Sequence, residues 1–133
     1  MSWMQNHIDE FRANGGHLGG GFEGRPVLLL TTTGRKSGEP RTAPMMYLQD
    51  DGHIYVFASK GGAPTHPYWF KNLVADPKVT VELGAERFEA TARPVEGDEH
   101  DRVYAKQVAL YPQFGEYQEK CERTIPVVEL IRD

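Results

Sequence analysis

The chain has 133 residues, of which 26% are charged, and its formal net charge is −4 at pH 7. This length fits one domain whose core needs no covalent or metal support, and the single cysteine, Cys121, excludes an internal disulfide and a multi-cysteine metal site. A negative net charge argues against general nucleic-acid binding, which requires many neutralised phosphates, so any basic surface must be local.

The first residues, "MSWMQNHIDEF", lack the cationic and apolar regions of a secretory signal, and the longest apolar run, "VLLL", is far below the ~20 residues of a membrane span. We therefore expect a cytoplasmic protein. A capping box of Ser2 and Gln5 predicts a short amphipathic helix over residues 2–13. Its apolar stripe contains Met4, Ile8 and Phe11. This stripe is expected to cover the core because the helix has no basic face, and a peripheral membrane contact stays open.

The next stretch, "NGGHLGGGFEG", contains the pattern G-x-G-x-x-G at Gly19, Gly21 and Gly24. A dinucleotide fingerprint needs a strand before it and a helix after it. Here a helix precedes the glycines and a strand-like run follows them. The stretch is therefore interpreted as a flexible connector, so that residues 1–24 comprise the helix and this connector.

From residue 25 to the end, short apolar and β-branched runs alternate with turn-forming residues. They predict strands at "VLLLTTT", "RTAPMMYLQ", "HIYVFAS", "KVTVEL", "ERFEATARPV" and "TIPVVELIR". Helical spacing predicts helices within "PYWFKNLVADP" and "DEHDRVYAKQVALYP". Because the links "GRKSGEP" and "DDG" are so short, the strands they join must be antiparallel. The expected fold is α+β, an antiparallel barrel or roll with an N-terminal helix and inserted helices.

A basic cluster lies in residues 25–49, where four basic residues, Arg25, Arg35, Lys36 and Arg41, face the single acid Glu39. Hydroxyl groups and glycines surround these charges and suit a phosphate or carboxylate ligand, although a solvated hairpin turn is the alternative. The spacing is not that of a P-loop. A second basic turn, "ASKGG", follows the third strand, and a meander of three strands could bring its Lys60 into the same cleft.

Aromatic residues supply candidate walls for a planar ligand. Trp69 and Phe70 could stack on such a ligand or belong to the core. Tyr111, Phe114 and Tyr117 suit the rim of a pocket as well as a packed helix. The histidines show no metal-ligand spacing, and no nucleophile elbow is present, so neither a metal site nor hydrolysis is predicted.

Three ordered segments, "LLLTTTGRKSGEPRTAPMMYLQDDG", "ASKGG" and "PYWFKNLVADPKVTVELG", resemble the deazaflavin-dependent nitroreductase family of actinobacteria. The similarity extends from about Pro26 to the C-terminus, and "IDEFRANGG" resembles the N-terminal segment of one branch. The resemblance implies a split β-barrel over residues 25–133, of the FMN-binding split-barrel superfamily, that binds coenzyme F420. This coenzyme joins a phosphodiester and a glutamate tail to a planar deazaflavin.

The resemblance also implies roles for individual residues. The phosphate and tail would be held by Arg35, Lys36, Ser37 and Arg41. The ring would be lined by Thr42, Ala43, Pro44, Met45, Met46 and Tyr47. Backbone donors and one hydroxyl would come from Phe57, Ala58, Ser59 and Lys60. The helix beside the coenzyme would contribute Tyr68, Trp69, Phe70, Lys71 and Asn72, and Phe114 would complete the site. Candidate proton donors are Ser59, Tyr111 and Tyr117.

The implied reaction is hydride transfer from reduced coenzyme F420 to quinones, activated enones or nitroaromatics, by a monomer or homodimer. Phe114 and Met46 stand where the best-known nitroreductase member has tyrosines, which favours quinones or enones over bulky nitroaromatic drugs. Two alternatives stay open: an FMN-binding split-barrel oxidoreductase, because FMN also pairs a phosphate with a planar ring, and a non-catalytic carrier or sensor of the deazaflavin.

Overall fold

The structure is a computed structural model that describes residues 3–19 and 24–133. The predicted Ser2 cap, the side chain of Met4 and residues 20–23 of the glycine-rich connector lie outside the described residues. The division of the chain between residues 24 and 25 stays a prediction.

In the part of the chain that the structure describes, six antiparallel strands close into a barrel, in the order β1-β2-β3-β6-β5-β4. They are β1 (Val27–Thr33), β2 (Pro40–Asp50), β3 (His53–Phe57), β4 (Lys78–Leu83), β5 (Glu86–Val95) and β6 (Val127–Arg132). The β2–β3 turn places Asp51 and Gly52 at φ 51° and 81°, as expected for an Asp-Gly hairpin. The predicted α+β barrel with inserted helices is confirmed.

Within residues 3–19 and 24–133, four α-helices accompany the barrel: α1 (Trp3–Ala13), α2 (Tyr68–Ala75), α3 (Gly97–Leu110) and α4 (Gln113–Lys120). The first three correspond to predicted helices. Helix α3 ends at the turn before Pro112, which cannot donate a backbone hydrogen bond. The aromatic segment that follows forms α4, so this segment is a packed helix whose aromatic face also borders a pocket.

Strand β1 is apolar on both faces because both are covered. Leu28 and Leu30 lie in the barrel interior, whereas Val27 and Leu29 pack against Phe11 of α1. Phe11 is 1% exposed, so the stripe of α1 covers the core, as predicted. Among the described residues no helix is both long and apolar enough to span a membrane.

An ion pair fixes α1 on the barrel. Arg12 donates from Nε and Nη2 to the two carboxylate oxygens of Glu82 on β4, both at 2.9 Å. Glu82 is only 8% exposed, so its charge needs this partner. The contact holds α1 across β1 and β4.

Helices α3 and α4 cover the outer face of β2, β3 and β6. There Leu48 and Phe57 pack with Tyr104 of α3 and Phe114 of α4 in a second buried cluster. This packing brings α4 next to the loop that follows β3.

Candidate active site

A pocket of about 380 Å³, here called the aromatic pocket, opens between β2, the loop after β3, α2 and α4. Strand β2 contributes Pro44, Met45 and Met46, strand β3 contributes its last residue, Phe57, and the loop contributes Ser59, Lys60 and Gly61. Helix α2 contributes Trp69, helix α4 contributes Gln113, Phe114 and Tyr117, and Arg25 borders the pocket just before β1. The volume lies in the usual range for small-molecule sites.

The aromatic walls are held rigidly. Phe57, Trp69 and Phe114 are 5%, 8% and 5% exposed, and the Phe57 and Phe114 rings meet edge to face with centroids 5.6 Å apart. The Phe114 and Tyr117 rings meet in the same way at 5.3 Å. Such walls favour a flat, largely apolar ligand.

The loop after β3 fits against α4 only because of Gly62. Its φ is +84°, in the left-handed region, and a Cβ atom there would lie 2.8 Å from the carbonyl oxygen of Tyr117. The loop backbone can therefore approach α4 closely. This approach closes one side of the aromatic pocket.

Arg123 anchors the same loop from behind. Its guanidinium donates to three backbone carbonyls, those of Ala58 at 3.1 Å, Ser59 at 2.8 Å and Ala63 at 3.0 Å. It also contacts Nδ1 of His66 at 3.0 Å. One side chain thus fixes the backbone on both sides of Lys60.

His66 is suited to accept that fourth hydrogen bond. Burial, followed by the positive charges of Arg123 and Lys71, lowers the pKa of His66 below its usual value. The imidazole is therefore neutral at pH 7, and Nδ1 can accept from the guanidinium.

A second depression of about 220 Å³, here called the basic cleft, lies at the β1–β2 hairpin. It is lined by Gly34, Arg35, Lys36, Ser37, Arg41, Tyr68 and Asn72. Of the three cations, only Arg41 has a carboxylate partner among the described residues, Glu39 at 3.4 Å on the exposed surface. The cleft is therefore electropositive in a chain of net negative charge.

Asn72 of α2 positions the hairpin and one of its cations. It is 2% exposed, and its Nδ2 donates to Oγ1 of Thr32 at 3.1 Å. Its Oδ1 accepts from the backbone N–H of Arg35 at 3.1 Å and from the Arg35 Nη1 at 3.2 Å. Both polar atoms of this buried amide are thus hydrogen-bonded, and together they fix Arg35 relative to the barrel.

The aromatic pocket and the basic cleft lie side by side along β2. Arg41 belongs to the cleft, whereas Pro44 to Met46 belong to the pocket. The start of α2 borders both, through Tyr68 in the cleft and Trp69 in the pocket. The arrangement suits an elongated molecule with a flat ring at one end and negative charge at the other.

The structure places several of the sequence-predicted residues outside both depressions. Phe70 faces another depression beside Pro126, and its ring centroid lies 4.9 Å from that of His66. Lys71 is exposed to solvent. Neither residue shares the direction of Trp69, because successive residues of a helix point in different directions. The others contribute to the surrounding structure: Ala43 and Ala58 in the barrel core, Thr42 bonded to Thr31 at 2.8 Å, Tyr47 packed on the core, and Tyr111 beneath Arg25.

Lys60 does not share the cleft with Arg35, Lys36 and Arg41, in contrast to the expectation from a three-strand meander. It lines the aromatic pocket instead. Strand β3 ends at Phe57, whereas β2 continues beyond that level towards Arg41. The end of β3 therefore falls short of the hairpin.

Sequence reasoning missed Arg123 and Gln113, and grouped Arg25 with the wrong end of β2. Arg123 lies 57 to 65 residues from its partners, and the pairing of β3 with β6, which ends at Phe57 and Val127, brings them together. No local sequence pattern could predict hydrogen bonds between residues so far apart in the chain. Among the described residues, no group of three or more histidine, cysteine or acidic side chains could hold a metal ion.

Comparison with known proteins identifies relatives over the whole length. Residues 3–131 match the family described as F420H(2)-dependent quinone reductase. An F420H(2)-dependent quinone reductase of Mycobacterium tuberculosis is 36% identical over 145 residues, covering 98% of this chain and 96% of the relative.

Solved structures that share the fold include two with substantial sequence identity to this chain. One, described as an F420-H2 dependent reductase, is 43% identical with a TM-score of 0.72, covering 80% of this chain and 94% of its own. The other, described as a domain-swapped dimer, is 39% identical with a TM-score of 0.75, covering 95% and 92%.

Proposed function

Because the chain belongs to the F420H(2)-dependent quinone reductase family, we propose that it is an oxidoreductase that uses reduced coenzyme F420 to reduce quinones. The resemblance noted in the sequence, to deazaflavin-dependent reductases with a split barrel, is confirmed at the level of family and fold. Activated enones and nitroaromatics are further acceptor classes within the proposal.

One observation carries the proposal: the cation-lined cleft and the aromatic pocket lie along the same strand, and the first turn of α2 borders both. The coenzyme has the matching construction, a planar ring joined to a phosphodiester and a glutamate tail. Arg35, Lys36 and Arg41 would hold the negative groups, and Asn72 would keep Arg35 in place. The ring would lie against Pro44 to Met46 in the pocket.

When bound, the coenzyme supplies two electrons as a hydride, and the protein supplies position and electrostatics. The loop fixed by Arg123 would hold the ring edge through its backbone, and the aromatic walls would exclude water from the ring face. A quinone that accepts a hydride also needs a proton. Ser59 and Tyr117 border the pocket and are the proposed donors. Tyr111 is a weaker candidate because its ring lies beneath Arg25, outside the lining.

Cofactor titration and turnover together test the proposal. The purified protein should bind F420 in preference to FMN, and should reduce menadione with the reduced coenzyme. Tight FMN binding with indifference to F420 would contradict the coenzyme assignment. Binding of F420 without turnover of any quinone, enone or nitroaromatic would instead identify a carrier.

The cleft can be tested separately through its cations. Each hydrogen bond to a charged group contributes roughly 1.5–3 kcal/mol when well formed, and less at an exposed position. The double variant Lys36→Ala, Arg41→Ala should weaken F420 binding at least tenfold, since about 1.4 kcal/mol corresponds to a factor of ten. The matched control is Lys78→Ala, Arg87→Ala, which removes two exposed cations from β4 and β5. Equal dissociation constants for both double variants would contradict the assignment of the cleft.

A further inference from the structure

We propose that Arg25 is a specificity-determining residue that forms an anion subsite for the electron acceptor, so that the enzyme favours quinones with an ionised hydroxyl group beside a carbonyl. This inference rests on the proposed function, because it concerns the second substrate of the same pocket. Three observations on the chain and the chemistry of guanidinium point to it.

Arg25 has a defined place at the mouth of the aromatic pocket. It precedes β1, where Val27 pairs with Met46, and the carbonyl of Pro26 accepts from the N–H of Tyr47 at 3.2 Å. Its Nη1 lies 4.0 Å from the Sδ of Met46. Its guanidinium carbon lies 5.8 Å from the centre of the Tyr111 ring, within the range of a cation–π contact. The charge is therefore held over the pocket, between β2 and the start of α4.

Arg25 is far from the basic cleft. Met46, which Arg25 contacts, lies five residue steps along β2 from Arg41 of the cleft. An extended strand rises about 3.3 Å per residue, so the two positions are roughly 17 Å apart. A coenzyme with its negative tail in the cleft and its ring at Pro44 to Met46 would leave Arg25 beyond the ring. In that arrangement, Arg25 faces the space left for the electron acceptor.

The charge of Arg25 is not neutralised within the part of the chain that the structure describes. No carboxylate there pairs with it, and the described lining of the pocket contains no acidic side chain. Lys60 adds a second cation to the same lining. An acceptor with a negative charge would therefore be favoured over a neutral one of the same shape.

The chemistry of guanidinium narrows the class of acceptor. It is planar, always charged, and donates to two oxygens at once. An ionised hydroxyl group next to a quinone carbonyl presents two such oxygens. The negative charge of this anion normally disfavours hydride addition, and a guanidinium beside it offsets that effect.

Two quinones of nearly equal shape test the proposal. At neutral pH 2-hydroxy-1,4-naphthoquinone is an anion and 2-methoxy-1,4-naphthoquinone is neutral. Their dissociation constants are measured by calorimetry on the wild type, Arg25→Met, Arg25→Lys and the control Arg87→Met, an exposed arginine outside the pocket lining. The proteins are saturated with oxidised F420, and the measurement is repeated without it. The kcat/KM for each quinone with the reduced coenzyme is the second measurement.

The wild type should bind the anion more tightly than the methyl ether. Arg25→Met should reduce the ratio of the two dissociation constants, methyl ether to anion, about tenfold. Arg25→Lys should keep part of the ratio, and Arg87→Met should keep all of it. The inference is overturned if the wild type shows no preference, or if Arg25→Met keeps the full preference. If the wild type neither binds F420 nor reduces menadione, the proposed function is refuted instead. In that case the ratio of the two quinone dissociation constants measured without coenzyme would decide the role of Arg25.

Discussion

Replacement of Arg123 by methionine should loosen the loop after β3 and impair the site without altering any residue of the pocket lining. The guanidinium donates to the carbonyls of Ala58, Ser59 and Ala63 and to Nδ1 of His66. Methionine preserves much of the side-chain length and removes all of these donors. The backbone beside Ser59 and Lys60 would then depend on Gly62 and its contact with α4.

The size of the effect follows from these contacts. Hydrogen bonds to a charged donor are worth roughly 1.5–3 kcal/mol each, but the partners are only partly buried and water can replace some of them. We therefore expect a loss of about 2–4 kcal/mol in the free energy of unfolding. The free energy of unfolding of a chain of 133 residues is on the order of 7–20 kcal/mol, so the variant should still fold.

Urea unfolding measures the stability of Arg123→Met, Arg123→Lys and the control Arg132→Met, whose arginine forms an exposed ion pair with Glu86. The titration of His66, followed by NMR, adds a readout specific to this contact. Burial is the larger cause of the lowered pKa of His66 and Arg123 the next, so the pKa should rise part of the way in Arg123→Met. A stability equal to that of Arg132→Met, together with an unchanged pKa of His66, would refute the reasoning.

Gly62→Ala should destabilise the protein by more than about 1 kcal/mol, because φ is +84° and the new Cβ would meet the Tyr117 carbonyl. The control is Gly61→Ala, at φ +63° with no atom within 4 Å of the new Cβ. In urea unfolding, this control should lose less free energy of unfolding. Asn72→Ala should lower stability by about 1–3 kcal/mol and weaken F420 binding, since Arg35 and Thr32 lose a buried partner; unchanged binding by calorimetry would show that Arg35 needs no such support. The pKa of His53 is raised because Glu129 accepts its hydrogen bond, so the contribution of this pair to stability is complete below pH 6.5 and is lost as pH rises through the raised pKa. Urea unfolding at pH 6 and 8 should show this decline in stability in the wild type. Persistence of the full decline in His53→Gln would contradict this assignment.

The strands and the helices α1 to α3 could be predicted from local patterns because each pattern reports a local cause. The run "VLLL" is apolar throughout because β1 is covered on both faces, and "DDG" supplies the left-handed residues that a tight hairpin needs. The basic cleft could also be anticipated, since its cations are close in sequence. In each case the information lies within a few residues of the feature.

The aromatic pocket could be predicted only in part, because its sides come from distant segments. Phe70 and Trp69 are equivalent in the sequence, yet only Trp69 faces the pocket, since the orientation of α2 decides which of the two does so. Charge alone groups Arg25 with the hairpin, although the register of β1 and β2 puts it at the opposite end of β2. The pairing of strands, and not the composition of segments, assigns these residues.

The pocket exists because β2 changes partner along its length. Its residues from Pro40 to Met46 pair with β1, whereas those from Tyr47 to Asp50 pair with β3. The first half of β2 therefore has an edge without a β3 neighbour, and an uncovered edge would normally invite another strand. The loop fixed by Arg123 and the start of α2 stand over this edge, and the aromatic pocket lies between them. A planar ring with polar edges would satisfy such an edge and such walls together, and this is how we propose that a barrel this small holds its coenzyme along one strand.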